Sequence, residues 1–266
     1  MSVPIFIVSD FRSGSTLLRY ALDAHSQICC PAEIRLTRFC QVSFHVAELL
    51  GDTHAVAGET VATLERVRKL AHELMDAYCI KKGKERWCDK SPGNVDLLPV
   101  LGSVFPDAQC ICLYRHGLNQ AQSFIDMFGA GRLQSYVDRH HGNVPAAALD
   151  RWCTKAEAVL GFEHNNPRTT HRVTYERFVE APEEELQRLL TFLNVRREQG
   201  LSVLAFRVSH DQGPADAKIA STSKVERDRA RRKSRLDLGQ VPASLRLRFR
   251  QLSDTLGYDG DGRQGT

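Results

Sequence analysis

The sequence predicts an α/β fold: a single domain with a central parallel β-sheet flanked by helices. Three observations lead there. Short apolar runs alternate along the chain with stretches of helical periodicity, the pattern of strands joined by crossover helices. The first run leads directly into a Ser/Gly-rich turn and then a helix. With 266 residues, 42% hydrophobic and 26% charged, the chain can bury one full core without needing a second domain.

Ile5, Phe6, Ile7 and Val8 form a run apolar on both faces, as a buried parallel strand requires, and Leu17, Leu18, Ala21 and Leu22 then recur at helical spacing. A polar helix is expected over residues 59–82, a strand at Arg86, Trp87 and Cys88, and a helix over 94–105. Gln109–Tyr114 reads as a second buried strand, followed by helices over 117–128 and 145–164 and a strand over 169–174. Leu186, Leu189, Leu190 and Leu193 share one face of a helix over 182–193. From residue 200 to 240 periodicity fades while charge rises, which predicts a long functional loop, closed by a helix over 242–256. The domain is expected to end at residue 258, with 259–266 a flexible tail inside the polar stretch GYDGDGRQGT. In such a sheet a ligand belongs at the carboxyl ends of the strands.

Composition narrows the function. The longest apolar run near the start is Pro4 to Val8, too short for a membrane span or a signal-peptide core, so a soluble, cytoplasmic protein is expected. Eight cysteines form no CxxC and ten histidines form no ligand spacing, so no metal is expected. Net charge is +4, yet residues 224–235 hold seven basic and two acidic side chains, leaving the remainder at −1. One basic segment on a balanced chain suggests a local anionic partner; nucleic acid, expected to meet a wider basic face, is not predicted.

Between strand and helix lies SDFRSGST, residues 9–16. It sets Gly14 and the hydroxyls of Ser13, Ser15 and Thr16 at a helix N-terminus, where free amides and the helix dipole converge on one anion. Arg12 adds a fixed charge able to grip phosphate with two bonds. Against the nucleoside-triphosphatase pattern GxxxxGK(S/T), Ser9 replaces the first glycine and Ser15 the lysine, so the loop suits one phosphate better than three and a kinase reading is disfavoured. Taken alone, the turn also reads as a simple helix cap.

PIFIVSDFRSGSTLLRYALDAH followed by Glu33 resembles the 5'-phosphosulfate loop of the sulfotransferase family, most closely its tyrosylprotein branch in a soluble form. The likeness recurs in order at CDKSPGN (88–94), FPDAQCICLYRHGLNQAQS (105–123), the Tyr175–Glu176 pair and STSKVERD (221–228). It implies a P-loop nucleotide-kinase-like fold and 3'-phosphoadenosine 5'-phosphosulfate as the sulfate donor. By that resemblance Arg12, Ser13, Gly14, Ser15 and Thr16 hold the 5'-phosphate, while Arg115 and Ser123 hold the 3'-phosphate. Independently, Arg115 emerges at the carboxyl end of the strand ending at Tyr114, with Ser123 two helical turns on. Tyr175 matches a tyrosine beside the nucleotide. Ser221, Ser223 and Lys224 match a late loop that folds over it, and Lys233 matches a cation approaching the 3'-phosphate.

Sulfuryl transfer needs an attacking oxygen in line with the leaving oxygen, and positioned cations and donors to neutralise the leaving group. The resemblance assigns that work to Lys90, Arg12 and Ser221, and the general base to Glu33. A base is required because a hydroxyl acceptor is neutral at pH 7. Arg35 matches an arginine that contacts acidic residues around the acceptor tyrosine; the next such arginine is replaced by Phe39, with Arg38 adjacent. The acceptor expected first is therefore a hydroxyl on a natural product, lipid or glycan, with a tyrosine-bearing peptide or protein as the alternative. Self-association into a homodimer is left open. His116 stands where the family has an aspartate, and Met127 where the tyrosylprotein branch has a second cofactor arginine. Cys30 and Cys88 fall at positions disulfide-linked in that branch, so their sulfurs are expected close together, as thiols in a reducing compartment.

Overall fold

A computed structural model describes residues 2–50, 57–213, 219, 221–228 and 234–258. Five parallel strands form one sheet in the order β2-β3-β1-β4-β5. They are β1 (Ile5–Val8), β2 (Ile28–Cys29), β3 (Arg86–Asp89), β4 (Gln109–Tyr114) and β5 (Thr170–Thr174). The first strand lies at the centre, with Phe6 in register with Asp89 on one side and Cys110 on the other.

Alternation along the strands divides the core into two layers. Phe6, Val8, Trp87, Cys110, Cys112 and Tyr114 face one layer. It is closed by α3 (Ala57–Lys82), α4 (Leu98–Val104), α7 (Val144–Asn165) and the C-terminal helix Ala243–Thr255. Ile5, Ile7, Cys88, Ile111 and Leu113 face the other, against α1 (Ser15–Asp23), α8 (Tyr175–Glu180) and α9 (Pro182–Phe192). The remaining helices are α2 (Leu36–Leu50), α5 (Gly117–Phe128), α6 (Gln134–Arg139) and a short turn, α10, at Leu201–Leu204.

The expected strands and most helices lie within a residue or two of their predicted limits. The helix predicted over 94–105 is corrected. Pro92–Asp96 is a 3-10 turn and α4 starts only at Leu98. Asn94 is drawn back by its amide bond to Asp89 Oδ2 (2.8 Å), Leu97 leaves helical dihedrals, and Pro99, lacking an N–H, suits the first turn of a new helix. The helices α2, α6 and α8 and the two-residue strand β2 were not predicted. Within the polar 200–240 segment, α10 is regular, while part of the segment, Lys233 included, lies outside the described residues. Tyr258 is buried, its hydroxyl donating to Glu176 Oε2 at 2.9 Å, so it belongs to the packed domain; the tail expected at 259–266 lies outside the described residues.

Candidate active site

The carboxyl ends of β1, β3 and β4 open onto a cleft of about 810 Å³. Arg12, Gly14, Ser15, Thr16, Glu33, Arg35, Arg115, Ser123, Tyr175 and Lys224 line it. These residues are spread over more than two hundred positions of sequence, and the sheet order is what gathers them.

The loop after β1 is fixed from behind. Arg151 on α7 forms a two-pronged pair with the buried Asp10 carboxylate, and Gln120 donates to Asp10 Oδ2 (3.3 Å) and to the Phe11 carbonyl (2.9 Å). Burial pushes the Asp10 carboxyl up, and Arg151 opposes that rise. Arg12 then adopts φ 68° and Gly14 φ 95°. Glycine is required at 14: a Cβ there would lie 2.2 Å from Cδ2 of Tyr175, whose ring rests on this turn. The first turn of α1 carries no acidic residue, so its free amides and dipole face the cleft uncompensated.

Arg115 is held by its surroundings. Trp152 Nε1 donates to the Arg115 carbonyl at 3.1 Å, and Glu176 accepts the following His116 amide at 3.1 Å. The Arg115 guanidinium lies 4.6 Å from the Tyr175 ring centroid and donates to the Arg12 carbonyl at 2.9 Å. Arg12 Nε in turn donates to Ser123 Oγ at 3.1 Å, so the two expected phosphate-binding groups adjoin. Ser13 Oγ and Arg115 Nε are buried with no hydrogen-bond partner among the described residues. Both are donors at the loop, and an unsatisfied buried donor is costly, so the site fits an anionic phosphate ligand.

On the acceptor side, Lys90 Nζ donates to Glu33 Oε1 at 2.5 Å and lies 3.5 Å from Thr16 Oγ1. The lysine is 1% exposed and the Glu33 side chain 17%; Glu33 lines the cleft, and Lys90 is bonded to it from outside the lining. The adjacent Asp89 is fully buried; it accepts from Ser91 Oγ (3.0 Å) and Asn94 Nδ2 (2.8 Å), and burial raises its carboxyl above the usual range. Ser91 Oγ also accepts the Arg35 amide at 3.0 Å. One buried carboxylate thus ties the Lys90 turn, through Ser91 and the Arg35 amide, to the irregular segment carrying Glu33. Arg12 and Arg35 are two of four non-glycine residues with left-handed φ among those described, and both belong to this cleft, where backbone strain commonly marks function.

Ser221 and Ser223 are exposed and do not reach the cleft wall; their neighbours Thr222 and Lys224 do. Arg38 bonds Gln41 and Phe39 packs on the core, so neither joins Arg35 in the cleft lining. Cys30 and Cys88 are in hydrogen-bond contact, as expected, and burial pushes the Cys88 thiol up. Sequence reasoning missed Phe11, Asn119, Gln122 and Arg132 in the lining. The spacing of Asn119, Gln122, Ser123 and Asp126 marks one polar stripe of α5 and could have revealed two of them.

A parallel α/β fold whose first helix opens on a loop of free amides, beside buried donors without partners and the Lys90–Glu33 pair, has the form of a fold built to take an anionic ligand at its strand ends. The chain belongs to the sulfotransferase family, which it matches over residues 4–199. It is 27% identical over 228 residues to protein-tyrosine sulfotransferase 1 of Danio rerio, covering 84% of this chain and 60% of that protein. It is 28% identical over 207 residues to nodulation protein NoeE of Sinorhizobium fredii, covering 71% of this chain and 49% of that one. The chain thus spans about half to three-fifths of the length of these relatives. Its fold is shared with the sulfotransferase domain from the curacin biosynthetic pathway, with a TM-score of 0.72 at 22% identity over 97% of this chain and 99% of that one. Among the described residues no helix is long and apolar enough to cross a membrane.

Proposed function

We propose that the protein transfers the sulfuryl group of 3'-phosphoadenosine 5'-phosphosulfate to an acceptor hydroxyl. The observation that carries this reading is the Lys90–Glu33 pair set against Thr16 of the phosphate loop. Glu33 takes the acceptor proton as the hydroxyl oxygen attacks sulfur and the bond from sulfur to the phosphate oxygen breaks. Lys90 and Arg12 neutralise the charge gathering on that leaving oxygen, and the family resemblance assigns Ser221 of the late loop as a further donor. Lys90 is bonded to Glu33, and in the proposed reaction it turns from the carboxylate to the leaving oxygen, which frees the base. Arg12 to Thr16 hold the 5'-phosphate, and Arg115 and Ser123 the 3'-phosphate, with Tyr175 beside the nucleotide and Ser223 and Lys224 over it.

The acceptor we favour is a small natural product, lipid or glycan, because Arg35 lines the cleft while neither Phe39, at the place of the next family arginine, nor the adjacent Arg38 does. Transfer to a tyrosine peptide is the alternative, suggested by the protein-tyrosine sulfotransferase relatives. Arg35 then binds the acidic flank of the peptide. We assign the protein to the cytoplasm, where the Cys30–Cys88 pair stays reduced. The test is thermal stabilisation by adenosine 3',5'-bisphosphate against adenosine 5'-phosphate, followed by turnover of the donor with acidic tyrosine peptides, phenols, alcohols and glycans. A ligand selective for the folded state raises the melting temperature by mass action, so the bisphosphate should stabilise more. Equal stabilisation removes the 3'-phosphate assignment, and turnover of peptides alone replaces the favoured acceptor with the alternative.

A further inference from the structure

Arg132 lies in the turn after α5, in the 3-10 segment Gly131–Leu133, and lines the same cleft as Arg12, Arg115 and Ser123. Its guanidinium sits 4.5 Å from the centroid of Phe128 and 6.0 Å from that of Phe11, the residue preceding Arg12. Phe11, Phe124 and Phe128 contact one another edge-on or tilted, so this aromatic wall is a rigid platform that aims the arginine. Arg35 and Lys224 also line the cleft, but four other cations around it are engaged in full or in part. Arg151 is paired with Asp10, and Arg235 with Asp126 at 2.9 Å. Arg115 spends one nitrogen on the Arg12 carbonyl, and Arg12 spends Nε on Ser123. Among the described residues Arg132 has ring partners but no carboxylate partner, so its charge is balanced by nothing within hydrogen-bond reach.

A 3'-phosphate carries roughly −1.5 to −2 at pH 7 and needs more than one guanidinium. Met127, which also lines the cleft, supplies none. We infer that Arg132 is the second cation of the 3'-phosphate subsite, swung in on the Phe11–Phe128 wall from the turn beyond α5 to a place that the helix itself leaves uncharged. It acts with Arg115 and Ser123 and sets the preference for a nucleotide bearing a 3'-phosphate. The inference rests on the donor assignment above, and binding measurements separate the two.

The test is calorimetric titration of the full chain with adenosine 3',5'-bisphosphate and with adenosine 5'-phosphate, for wild type, Arg132→Ala and Arg132→Lys. If wild type does not prefer the bisphosphate, the donor assignment fails whatever the variants do. If it does, Arg132→Ala should weaken the bisphosphate about ten- to a hundredfold, in the range of one charge-assisted hydrogen bond, and leave adenosine 5'-phosphate unchanged. Arg132→Lys should recover part of the loss, and the loss should shrink at high salt. An unchanged preference in Arg132→Ala, or equal weakening of both nucleotides, overturns the role of Arg132. Should the alanine variant melt at lower temperature through lost packing on Phe128, Arg132→Gln keeps the stem and gives the same reading.

Discussion

Lys90 and Glu33 form a nearly buried ion pair whose two members have separate tasks in the proposed reaction. Glu33→Gln keeps an oxygen to accept from the nearly buried Lys90 ammonium, and removing Lys90 leaves the Glu33 side chain, 17% exposed, within reach of water from the cleft, so the variants should fold. Glu33→Gln keeps the shape and a hydrogen-bond acceptor but cannot take a proton; turnover should fall by about 10² to 10⁴. Lys90→Ala removes charge from the leaving oxygen and should cost about 10² to 10³ in kcat. In both, binding of adenosine 3',5'-bisphosphate measured by calorimetry should change little, because Arg115 and Ser123 are untouched. Retained turnover in either variant would remove that residue from the mechanism. At this scale the sequence was readable where a residue type is its own signal: Gly14 in a Ser-rich turn, and Arg115 just past a strand. The contact between Lys90 and Glu33 was reachable only through likeness to a family, because 57 positions separate them and no spacing rule joins them. The positive φ of Arg12 and Arg35 was not legible either, since arginine carries no marker for left-handed backbone.

Elements differ in how plainly they announce themselves. The strands β1 and β4 were legible because both faces are buried and the runs are continuously apolar. The strand β2 has two residues, too few for any period. The helix α2 escaped because only Leu36, Thr37 and Cys40 are buried on it, while Val42, Val46, Leu49 and Leu50 are exposed, so it shows no contrast between core and solvent faces. What couples elements to the site is the Asp10–Arg151 pair, which ties the β1 loop to α7 with Arg151 lying 4.1 Å from the Phe124 ring centroid. Deleting one partner strands a buried charge, so Arg151→Met should lower stability to urea by about 3 to 5 kcal/mol and weaken adenosine 3',5'-bisphosphate binding. Neutralising both, in Asp10→Asn with Arg151→Met, should recover a large part of the stability while leaving binding impaired, since the loop loses its anchor. If the double variant is as unstable as the sum of the two single ones, the pair is not coupled and the assignment is wrong.

Across the whole molecule, charge is arranged so that acid works against the fold through a few identifiable carboxylates. Asp150 on α7 accepts from Arg139 at the end of α6 (2.9 Å), from His140 (3.0 Å) and from Arg248 on the C-terminal helix (2.6 Å). Burial works to raise its pKa, but the bonds from His140, Arg248 and Arg139 outweigh it and hold the carboxyl below the usual range. Asp23 behaves alike: burial acts upward, while His210 at 2.6 Å, the Cys30 amide at 2.8 Å and Lys84 bring it down. A carboxylate depressed in the folded state contributes stability that is fully present above its unfolded value, about 3.9, and is lost as pH falls through the lower folded value. Asp89 and Glu176 oppose this, because burial raises both, and they give back stability as pH falls through their elevated values. Urea unfolding from pH 7 down to about pH 3 should therefore show a shallow change first and a steep loss below about pH 4. Asp150→Asn keeps the shape but surrenders the charge that Arg139, Arg248 and His140 bond to, so at pH 7 it should be less stable by about 1 to 3 kcal/mol. Its loss between pH 5 and pH 3 should then be smaller than that of the wild type, since the group whose protonation drives part of the loss is gone. Parallel pH profiles for wild type and Asp150→Asn would show that the junction of α6, α7 and the C-terminal helix is not where acid acts.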